Sequence, residues 1–209
     1  MEGGKMKFSI IIPTHNGATY IRKALDSVKS QTFKDYELIV ICDACEDNTA
    51  EIAASYGAKV LTVDYKNDGL TRDAGLDAAT GDWILFMDDD DWWLHEFVLK
   101  QLAGKLRNED ILAFSFIFKG FNYCEPLSNG GGTYWPAVWN KCWKRSFIGD
   151  TRFPNVTPNS DAYFHAAMFG KKPKVVNWDM PLYYYNYMRP GSLSDKQRQE
   201  GGPDFRRIS

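Results

Sequence analysis

Strand and helix patterns alternate along residues 8–87, and this alternation constrains the fold more than any other feature of the chain. Each predicted strand is a short continuous apolar run, as is typical of strands buried on both faces. Strands joined through helices by right-handed crossovers pair in parallel, so the sequence predicts an α/β fold with a mostly parallel sheet and helices on both faces. The predicted strands are 8–13, 37–42, 59–63 and 83–87, and the predicted helices are 19–31, 49–56 and 70–79.

The second half of the chain has a different pattern, which predicts a smaller mixed sheet. The shift in composition near residue 94 divides one domain into two halves, 6–93 and 94–194, and the polar tail 195–209 is predicted to be disordered. A glycine-rich segment, 125–136, is predicted to be a flexible loop. The later elements are predicted helices at 95–107 and 160–169 and predicted strands at 110–121, 174–179 and 182–187.

Charge and hydropathy exclude several classes of protein. The formal net charge of -2 argues against a general nucleic-acid binder, which normally has a basic excess. No apolar run reaches the length needed to cross a bilayer, and residues 1–13 lack a signal-peptide layout. We therefore expect a cytoplasmic protein without a transmembrane segment.

Two of the four cysteines, Cys42 and Cys45, have the spacing found in redox and zinc sites. A zinc site needs a second close pair, whereas Cys124 and Cys142 lie far apart in the sequence. Reduced thiols packed in the interior are therefore the default interpretation.

Four consecutive aspartates, 88–91, follow the fourth predicted strand directly. Adjacent unit charges about 4 Å apart repel by roughly 1 kcal/mol even in water, so these acids either point into solvent or surround a cation. Aspartates two positions apart at the end of a strand point the same way, so Asp88 and Asp90 can share one ion. Oxygen ligands suit Mg²⁺ or Mn²⁺, which normally complete their coordination with substrate phosphates. A diphosphate substrate is the natural counterpart, and a solvated acidic turn is the alternative.

The ends of three predicted strands carry polar side chains. The first strand runs into Pro-Thr-His-Asn, the second into Cys-Asp-Ala-Cys and the fourth into the four aspartates. In open α/β sheets, ligands bind beyond the carboxyl ends of the strands, so these groups form a candidate site. No glycine-rich dinucleotide fingerprint or P-loop follows any strand, so neither type of nucleotide site is indicated.

In combination these segments resemble an inverting, family 2 glycosyltransferase with the GT-A fold. The resemblance runs over most of residues 8–194, and its order and spacing are more specific than any single motif. The matching segments are 9–49, 67–93, 139–148, 159–164 and 182–194.

The resemblance implies a role for individual residues. Asp161 would be the catalytic base, Asp88 and Asp90 would hold Mn²⁺ or Mg²⁺, and Asp43 would accept from the uracil imide. Arg72 would face the base or the diphosphate, and Arg189, on a loop that closes over the donor, would touch phosphate. The complete predicted nucleotide-sugar-binding set is Pro13, Thr14, His15, Asn16, Asp43, Arg72, Asp88, Asp89 and Arg189.

The chain departs from the family pattern at three positions. Cys42 replaces the first of two acids after the second strand, which leaves base recognition to Asp43. Ser160 replaces the commoner acid before Asp161. Asp89 stands where a small residue is frequent, and its charge would strengthen cation binding or face water.

The implied reaction moves a sugar from a nucleotide donor to a hydroxyl of a glycan, glycolipid or glycoprotein. A UDP-sugar is the preferred donor, and dTDP- and GDP-sugars are the alternatives. A positioned carboxylate takes the hydroxyl proton, and a divalent cation stabilises the departing diphosphate. A single displacement inverts the anomeric centre. A sugar nucleotidyltransferase and a non-catalytic nucleotide- or carbohydrate-binding module are the alternatives.

Several of these residues also have simpler interpretations. Asp161 can cap the helix that follows it, and His15 can be a turn residue that bonds to the backbone. His95 and His165 have no ligand-like spacing and are expected at the surface or in packing. A group of aromatic residues can form a sugar platform, although most are expected in the core. This group comprises Trp135, Trp139, Trp143 and residues 183–185.

Overall fold

The elements alternate as predicted in the first half of the chain. The computed structural model describes residues 6–118, 124–125, 136–157 and 159–186, together with 192, 195 and 199. The strands are β1 (Phe8–Thr14), β2 (Tyr36–Asp43), β3 (Lys59–Val63), β4 (Trp83–Phe86), β5 (Trp92–Trp93), β6 (Ile111–Phe118), β7 (Cys124–Glu125), β8 (Lys141–Lys144) and β9 (Val175–Tyr185). The helices are α1 (Ile21–Lys29), α2 (Thr49–Ser55), α3 (Asp68–Ala78), α4 (Val98–Lys105), α5 (Arg145–Ile148) and α6 (Ser160–Gly170).

All of these strands belong to one mixed sheet with the order β3-β2-β1-β4-β8-β6-β9-β5, and β7 pairs with β6. The first four strands are parallel, as their helical crossovers require. Strand β8 pairs antiparallel with both β4 and β6, so the later strands extend the same sheet beyond β4. The two strands predicted at 174–179 and 182–187 form a single strand, β9, whose pairing with β6 is interrupted by register shifts around Ser115.

Helices cover both faces of the sheet, as the continuous apolar strands predict. Alternate residues of β1 point to opposite sides: Ile10 and Ile12 pack with α1 and α4, and Ile11 packs with α3. Helix α6 lies on the same side as α3, where Phe164 and Met168 are completely buried. None of the helices in the described part of the chain has the length and apolar content needed to span a bilayer.

Helix α4 begins later than the pattern indicates. The predicted helix starts at residue 95, but α4 starts at Val98 because the preceding carbonyls bond to the segment after α1. The carbonyl of His95 accepts from Gln31 Nε2 at 2.8 Å, and that of Glu96 accepts from Thr32 N–H at 2.9 Å. Tertiary bonds therefore replace the first turn of the predicted helix.

Parallel pairing brings the carboxyl ends of β1, β2 and β4 to one edge of the sheet. Thr14 and Asp43 are the last residues of β1 and β2, and the acidic residues follow β4 directly. The backbone N–H of Met87 donates to the carbonyl of Ile11 at 3.0 Å and carries the pairing of β4 with β1 up to this edge. The sheet thus assembles the three predicted polar segments.

Candidate active site

The four aspartates form a turn and do not continue strand β4. The strand ends at Phe86, and the backbone N–H of Asp91 donates to the carbonyl of Asp88 at 3.2 Å. The prediction that Asp88 and Asp90 point the same way assumed the alternation of a strand. These residues are not in a strand, so that alternation does not apply. The turn instead buries Asp89 and Asp91 and leaves Asp88 and Asp90 half-buried, so the four acids divide into two pairs.

Asp89 faces the protein interior and is bonded to the end of β1. Its Oδ2 accepts from Thr14 Oγ1 at 2.5 Å, and both side chains are buried. Gly17 packs against this pair, because a Cβ atom at this glycine would lie 2.3 Å from Thr14 Oγ1 and 2.5 Å from Asp89 Oδ2. Asp89 therefore joins two strand ends and does not face water, whereas its contribution to cation or donor binding stays a prediction.

Asp91 joins the turn to the far end of the sheet. Tyr183 Oη donates to Asp91 Oδ2 at 2.7 Å and accepts from the backbone N–H of Asp88 at 3.1 Å. The backbone N–H of Asn186 donates to Asp91 Oδ1 at 2.7 Å. Burial raises the pKa of Asp91 well above its ordinary value, and the nearby Asp90 and Asp88 raise it further. Tyr183 of β9 and the backbone amide of Asn186, directly after β9, therefore fix the acidic turn.

Arg72 is buried between two of the acids. Its Nη2 donates to Asp88 Oδ1 at 3.0 Å, and its Nη1 donates to Asp68 Oδ2 at 3.0 Å. Its Nε is buried and has no hydrogen-bond partner among the described residues. In this arrangement the guanidinium neutralises carboxylates. The contact of Arg72 with the base or diphosphate, which the resemblance implies, stays a prediction.

Asp161 lies in the first turn of α6, and its charge interacts with those of Arg72 and Asp68. Its Oδ1 accepts from the N–H of Ala162 at 2.8 Å. Burial raises the pKa of Asp161, Arg72 lowers it and Asp68 raises it, and the net direction is upward. A carboxylate with a raised pKa is a better proton acceptor, which suits a general base. The N-cap of α6 is Asn159, so the alternative of Asp161 as the N-cap is not what the structure shows.

Lys141 is a charged residue of this region that the sequence reasoning missed. Its side chain is completely buried at the start of β8, and its Nζ donates to the carbonyl of Ala137 at 2.8 Å and to Asn140 Oδ1 at 2.7 Å. Burial lowers the pKa of Lys141 to about 7, although Asp161 opposes this shift. The sequence does not indicate that this lysine is buried, because most lysines in proteins are exposed.

Asp43 holds the loop between β3 and α3. Its Oδ1 accepts from the backbone N–H groups of Tyr65 and Lys66 at 2.7 and 2.9 Å, and its Oδ2 accepts from Asn67 N–H at 3.0 Å and Thr71 Oγ1 at 2.7 Å. Burial alone would raise the pKa of Asp43, but these bonds hold it below its ordinary value. A carboxylate has about four acceptor positions, so an imide N–H would have to displace one of these donors.

Exposed groups surround Asp43 at the sheet edge. His15 Nδ1 and the carbonyl of Asp43 are 2.7 Å apart, and Asn16 Nδ2 lies 3.2 Å from His15 Nε2. His15 and Asn16 are exposed, and Pro13 is half-buried below them. Tyr65, on the loop that Asp43 holds, is 48% exposed. These rings and amides form a surface beside the end of β2, while Thr14 of the predicted pocket is buried against Asp89.

Most of the aromatic residues considered as a sugar platform belong to the core. Trp139 stacks on Tyr183 with ring centroids 4.9 Å apart, and Trp143 is completely buried with its Nε1 bonded to the carbonyl of Val138. Tyr184 is half-buried and stacks on Trp92 at 4.0 Å. Trp135 and Arg189 lie outside the described residues, so the predicted phosphate contact of Arg189 stays a prediction.

The cysteines and the other histidines do not form a metal or redox centre in the described part of the chain. Cys42, Cys45 and Cys142 are free thiols, and burial raises the pKa of each. A raised pKa keeps a thiol protonated and unreactive, as the interpretation of packed thiols expects. His165 stacks on Phe169 with ring centroids 4.1 Å apart, which is a packing role.

Asp88 and Asp90, the two half-buried acids of the turn, are the candidate ligands of a divalent cation. Among the described residues, no group of three or more His, Cys, Asp or Glu side chains is placed to hold a metal ion. Burial raises the pKa of Asp88, Arg72 lowers it, and the neighbouring Asp90 raises it again. Asp88 Oδ2 has no hydrogen-bond partner within the described ranges. Since Mg²⁺ is often held by one or two carboxylates plus substrate phosphates, Asp88 and Asp90 fit such an ion together with a phosphate ligand.

Comparison with known sequences finds glycosyltransferases. The model of glycosyl transferase family 2 matches residues 9–173. Glycosyltransferase GlyA of Streptococcus pneumoniae is 27% identical over 220 residues, which is 90% of this chain and 31% of GlyA. Poly(ribitol-phosphate) beta-N-acetylglucosaminyltransferase TarS of Staphylococcus aureus is 32% identical over 56% of this chain and 22% of TarS. The chain therefore spans less than a third of the length of these two relatives.

Comparison with solved structures finds the same fold. The crystal structure of S. aureus TarS in complex with UDP-GlcNAc superposes with a TM-score of 0.78 at 22% identity, over 91% of this chain and 61% of that one. Glucosyl-3-phosphoglycerate synthase from Mycobacterium tuberculosis, in complex with Mn²⁺, UDP and glucosyl-3-phosphoglycerate, has a TM-score of 0.64 at 17% identity. It is matched over 96% of this chain and 82% of its own. At these identities the likeness shows the fold, which is the predicted GT-A fold.

Proposed function

The chain belongs to glycosyl transferase family 2, and from this premise we propose that it transfers a sugar from a nucleotide diphosphate donor to an acceptor hydroxyl. We propose a UDP-sugar as the donor, because the TarS structure of the same fold contains UDP-GlcNAc. The proposed acceptor is a hydroxyl of a glycan, glycolipid or glycoprotein. The transfer proceeds with inversion of the anomeric carbon in a single displacement.

The observation that carries this proposal is the convergence of three chain segments on Arg72. Helix α3 supplies Arg72, the turn after β4 supplies Asp88, and helix α6 supplies Asp161, whose charge interacts with the same guanidinium. Two carboxylates therefore interact with a single arginine at this sheet edge. One is the proposed donor-binding acid, and the other is the proposed proton acceptor. A packed structural core has no need of such a cluster, because each buried carboxylate carries a desolvation cost.

Asp161 acts as the general base in this proposal. It takes the proton of the acceptor hydroxyl during attack, and its raised pKa makes the carboxylate a stronger base. The positive charge of Arg72 opposes that rise in the pKa of Asp161 and so favours the ionised carboxylate that accepts the proton. Only one base is needed, because the departing diphosphate leaves from the opposite face of the sugar.

Asp88 and Asp90 would hold Mn²⁺ or Mg²⁺ beside the donor diphosphate. When bound, such an ion supplies Lewis-acid stabilisation of the negative charge on the departing diphosphate. The mycobacterial synthase, which was crystallised with Mn²⁺ and UDP, supports this assignment. Arg72 holds Asp88 in place through one carboxylate oxygen, Oδ1, so the other oxygen would be the one to bind the ion.

The exposed surface beside the end of β2 would receive the nucleobase. His15 and Asn16 present a ring and an amide there, above Pro13. Asp43 contributes by fixing the adjacent loop, since its four bonds occupy its acceptor positions. We propose that base contact comes from these exposed groups and from backbone groups of the fixed loop.

A panel of nucleotide sugars tests this function. The wild-type protein is expected to release UDP from at least one UDP-sugar in the presence of Mn²⁺, and the Asp161→Asn variant should bind UDP as tightly but lose about 100-fold or more in rate. Asp77→Asn, on the exposed side of α3, is the matched control and should keep the rate.

The alternatives predict different products when UTP with a sugar phosphate is added to the panel. A nucleotidyltransferase would release pyrophosphate from UTP and a sugar phosphate, and a binding module would release nothing from any donor. Substantial transfer by Asp161→Asn would remove Asp161 from the role of base and leave the transferase assignment intact.

A further inference from the structure

Asp68 connects three segments at the floor of the proposed site. It is the first residue of α3, and its Oδ2 accepts from Arg72 Nη1 at 3.0 Å and from Ser160 Oγ at 2.7 Å. Its Oδ1 accepts from Thr157 Oγ1 at 3.2 Å. One carboxylate thus bonds to its own helix, to the loop before α6 and to the first residue of α6. The sequence separations, 89 and 92 residues for the last two, show that these contacts define tertiary structure.

The first turn of α6 depends on this carboxylate. The N-cap residue, Asn159, has a left-handed backbone with φ of 79° and makes no side-chain capping bond. Ser160, which directly precedes the proposed base Asp161, is completely buried, and its hydroxyl donates to Asp68. The side chain that fixes the start of α6 therefore belongs to α3.

The two helix starts are also in close contact. A Cβ atom at Gly69 would lie 2.9 Å from the carbonyl oxygen of Pro154, 3.0 Å from Ser160 Cβ and 3.1 Å from Phe153 Cβ. The backbone of Gly69 thus approaches the segment before α6 so closely that a larger side chain would not fit between them. Asp68 is bonded within this tight contact, and its side chain is only 23% exposed.

Asp68 also fixes the other side of the cluster. Arg72 is buried and bonds to two carboxylates, Asp68 through Nη1 and Asp88 through Nη2. A planar guanidinium with one branch fixed has few orientations left for the other branch. The position of Asp68 therefore determines how Arg72 meets Asp88.

We propose that Asp68 is a positioning residue: its carboxylate links the turn that carries Asp161 to the arginine that holds Asp88. It fixes the position of the base relative to the donor-side acid and does not contact the substrate. This inference rests on the function proposed above, because it takes Asp161 as the base and Asp88 as the donor-side acid.

The pair Asp68 and Ser160 can be exchanged to test this role. Exchange by Asp68→Ser and Ser160→Asp keeps one carboxylate and one hydroxyl facing each other, and it conserves both volume and charge. Asp68→Ser alone removes the carboxylate beneath Arg72, and Ser160→Asp alone places two carboxylates in contact. Asp77→Ser, at a surface ion pair on the same helix, is the control.

Each single variant should lose about tenfold or more in transfer rate, since changes to residues of one bonded network are strongly coupled. The exchanged double variant should recover most of this loss, and the control should transfer at the wild-type rate. A double variant no faster than the slower single variant, or an Asp68→Ser variant as fast as the control, would overturn the proposal.

The pH dependence of transfer separates positioning from simple loss of structure. The charges that act on Asp161 are Arg72 and Asp68 from α3, Asp88 from the turn and Lys141 from β8. Asp68 raises the pKa of Asp161, so Asp68→Ser should shift the acidic limb of the rate profile to lower pH, and the exchange should shift it back. A purely structural role would lower the rate at every pH and leave the limb unmoved.

The same experiment distinguishes this proposal from the function on which it rests. If wild-type protein neither binds UDP nor transfers, the proposed function is wrong. If wild-type protein transfers and the acidic limb of Asp68→Ser coincides with that of wild type, only the positioning role is wrong.

Discussion

Thr14 Oγ1 lies 2.5 Å from Asp89 Oδ2, and this buried bond joins the end of β1 to the acidic turn. The two residues are 75 positions apart in the chain, and each follows or ends a strand of the parallel sheet. The bond aligns the segment proposed to receive the nucleobase with the turn proposed to hold the diphosphate. A bound nucleoside diphosphate would need these two segments at a fixed separation.

Gly17→Ala is expected to break this alignment. The new Cβ atom would lie 2.3 Å from Thr14 Oγ1 and 2.5 Å from Asp89 Oδ2, so the bonded pair must separate. We expect a loss of about 1–3 kcal/mol in unfolding free energy, which is typical of overpacking, together with weaker UDP binding. Urea denaturation and calorimetry measure the two effects.

The control for this variant is Gly104→Ala in α4, where an added Cβ meets nothing within 4 Å. It should leave UDP binding unchanged and raise stability by up to about 1 kcal/mol, as alanine does in a helix. If the two alanine variants had the same unfolding free energy and the same affinity for UDP, the close contact at Gly17 would contribute to neither property.

Asp43→Asn is expected to loosen the loop after β3. An amide keeps one acceptor oxygen but turns an NH₂ group toward backbone N–H donors, so two of the four bonds are lost. The unfolding free energy should fall by about 1–3 kcal/mol, as expected for unsatisfied buried groups. Asp64→Asn, an exposed acid just before the same loop, should be neutral. Full stability combined with loss of UDP binding would instead assign the Asp43 carboxylate to the base.

Glu37 is expected to make the fold sensitive to acid. Burial alone would raise its pKa, but hydrogen bonds from Ser9 and Thr80 and the charge of Lys7 lower it from 4.5 to about 2. A depressed pKa contributes stability above the unfolded-state value, and that stability is lost as pH falls from 4.5 toward 2. At about 1.4 kcal/mol per pKa unit this shift corresponds to at most roughly 3.5 kcal/mol, and solvent screening of the partly exposed side chain makes the contribution smaller.

Urea denaturation at several pH values tests the role of Glu37. The Glu37→Gln variant should be less stable than wild type at neutral pH, and the difference should shrink as pH falls below 4.5. Glu51→Gln, at an exposed position of α2, should behave as wild type at each pH. A difference between Glu37→Gln and wild type that does not change with pH would contradict this assignment.

The sequence could predict the parallel half of the fold because each of its strands is a continuous apolar run. Strands β5, β7 and β8 are too short to show periodicity, and they exist because β6 and β9 offer them edges to pair with. In the sequence, Trp143 is therefore recognised only as part of a family motif, whereas in the structure it belongs to strand β8.

The sequence could predict where the candidate site lies on the sheet, but not the hydrogen bonds within the site. The rule that ligands bind at strand ends located Asp43 and Asp88 at one edge, where the structure has them. The partners of Asp43 are backbone amides of residues 65–67, which carry no side-chain signal. The contact of Asp68 with Ser160 joins residues 92 positions apart, and only the packing of α3 against α6 creates it.

The metal dependence of UDP binding tests the central claim most directly, namely that Asp88 and Asp90 complete a cation site together with a diphosphate. Calorimetric titration of UDP should show tight binding with Mn²⁺ and at least about tenfold weaker binding without it, a difference of about 1.4 kcal/mol. The Asp90→Ala variant should bind UDP equally weakly with and without the ion. Equal affinity of the wild-type protein for UDP in the presence and absence of Mn²⁺ would contradict the claim.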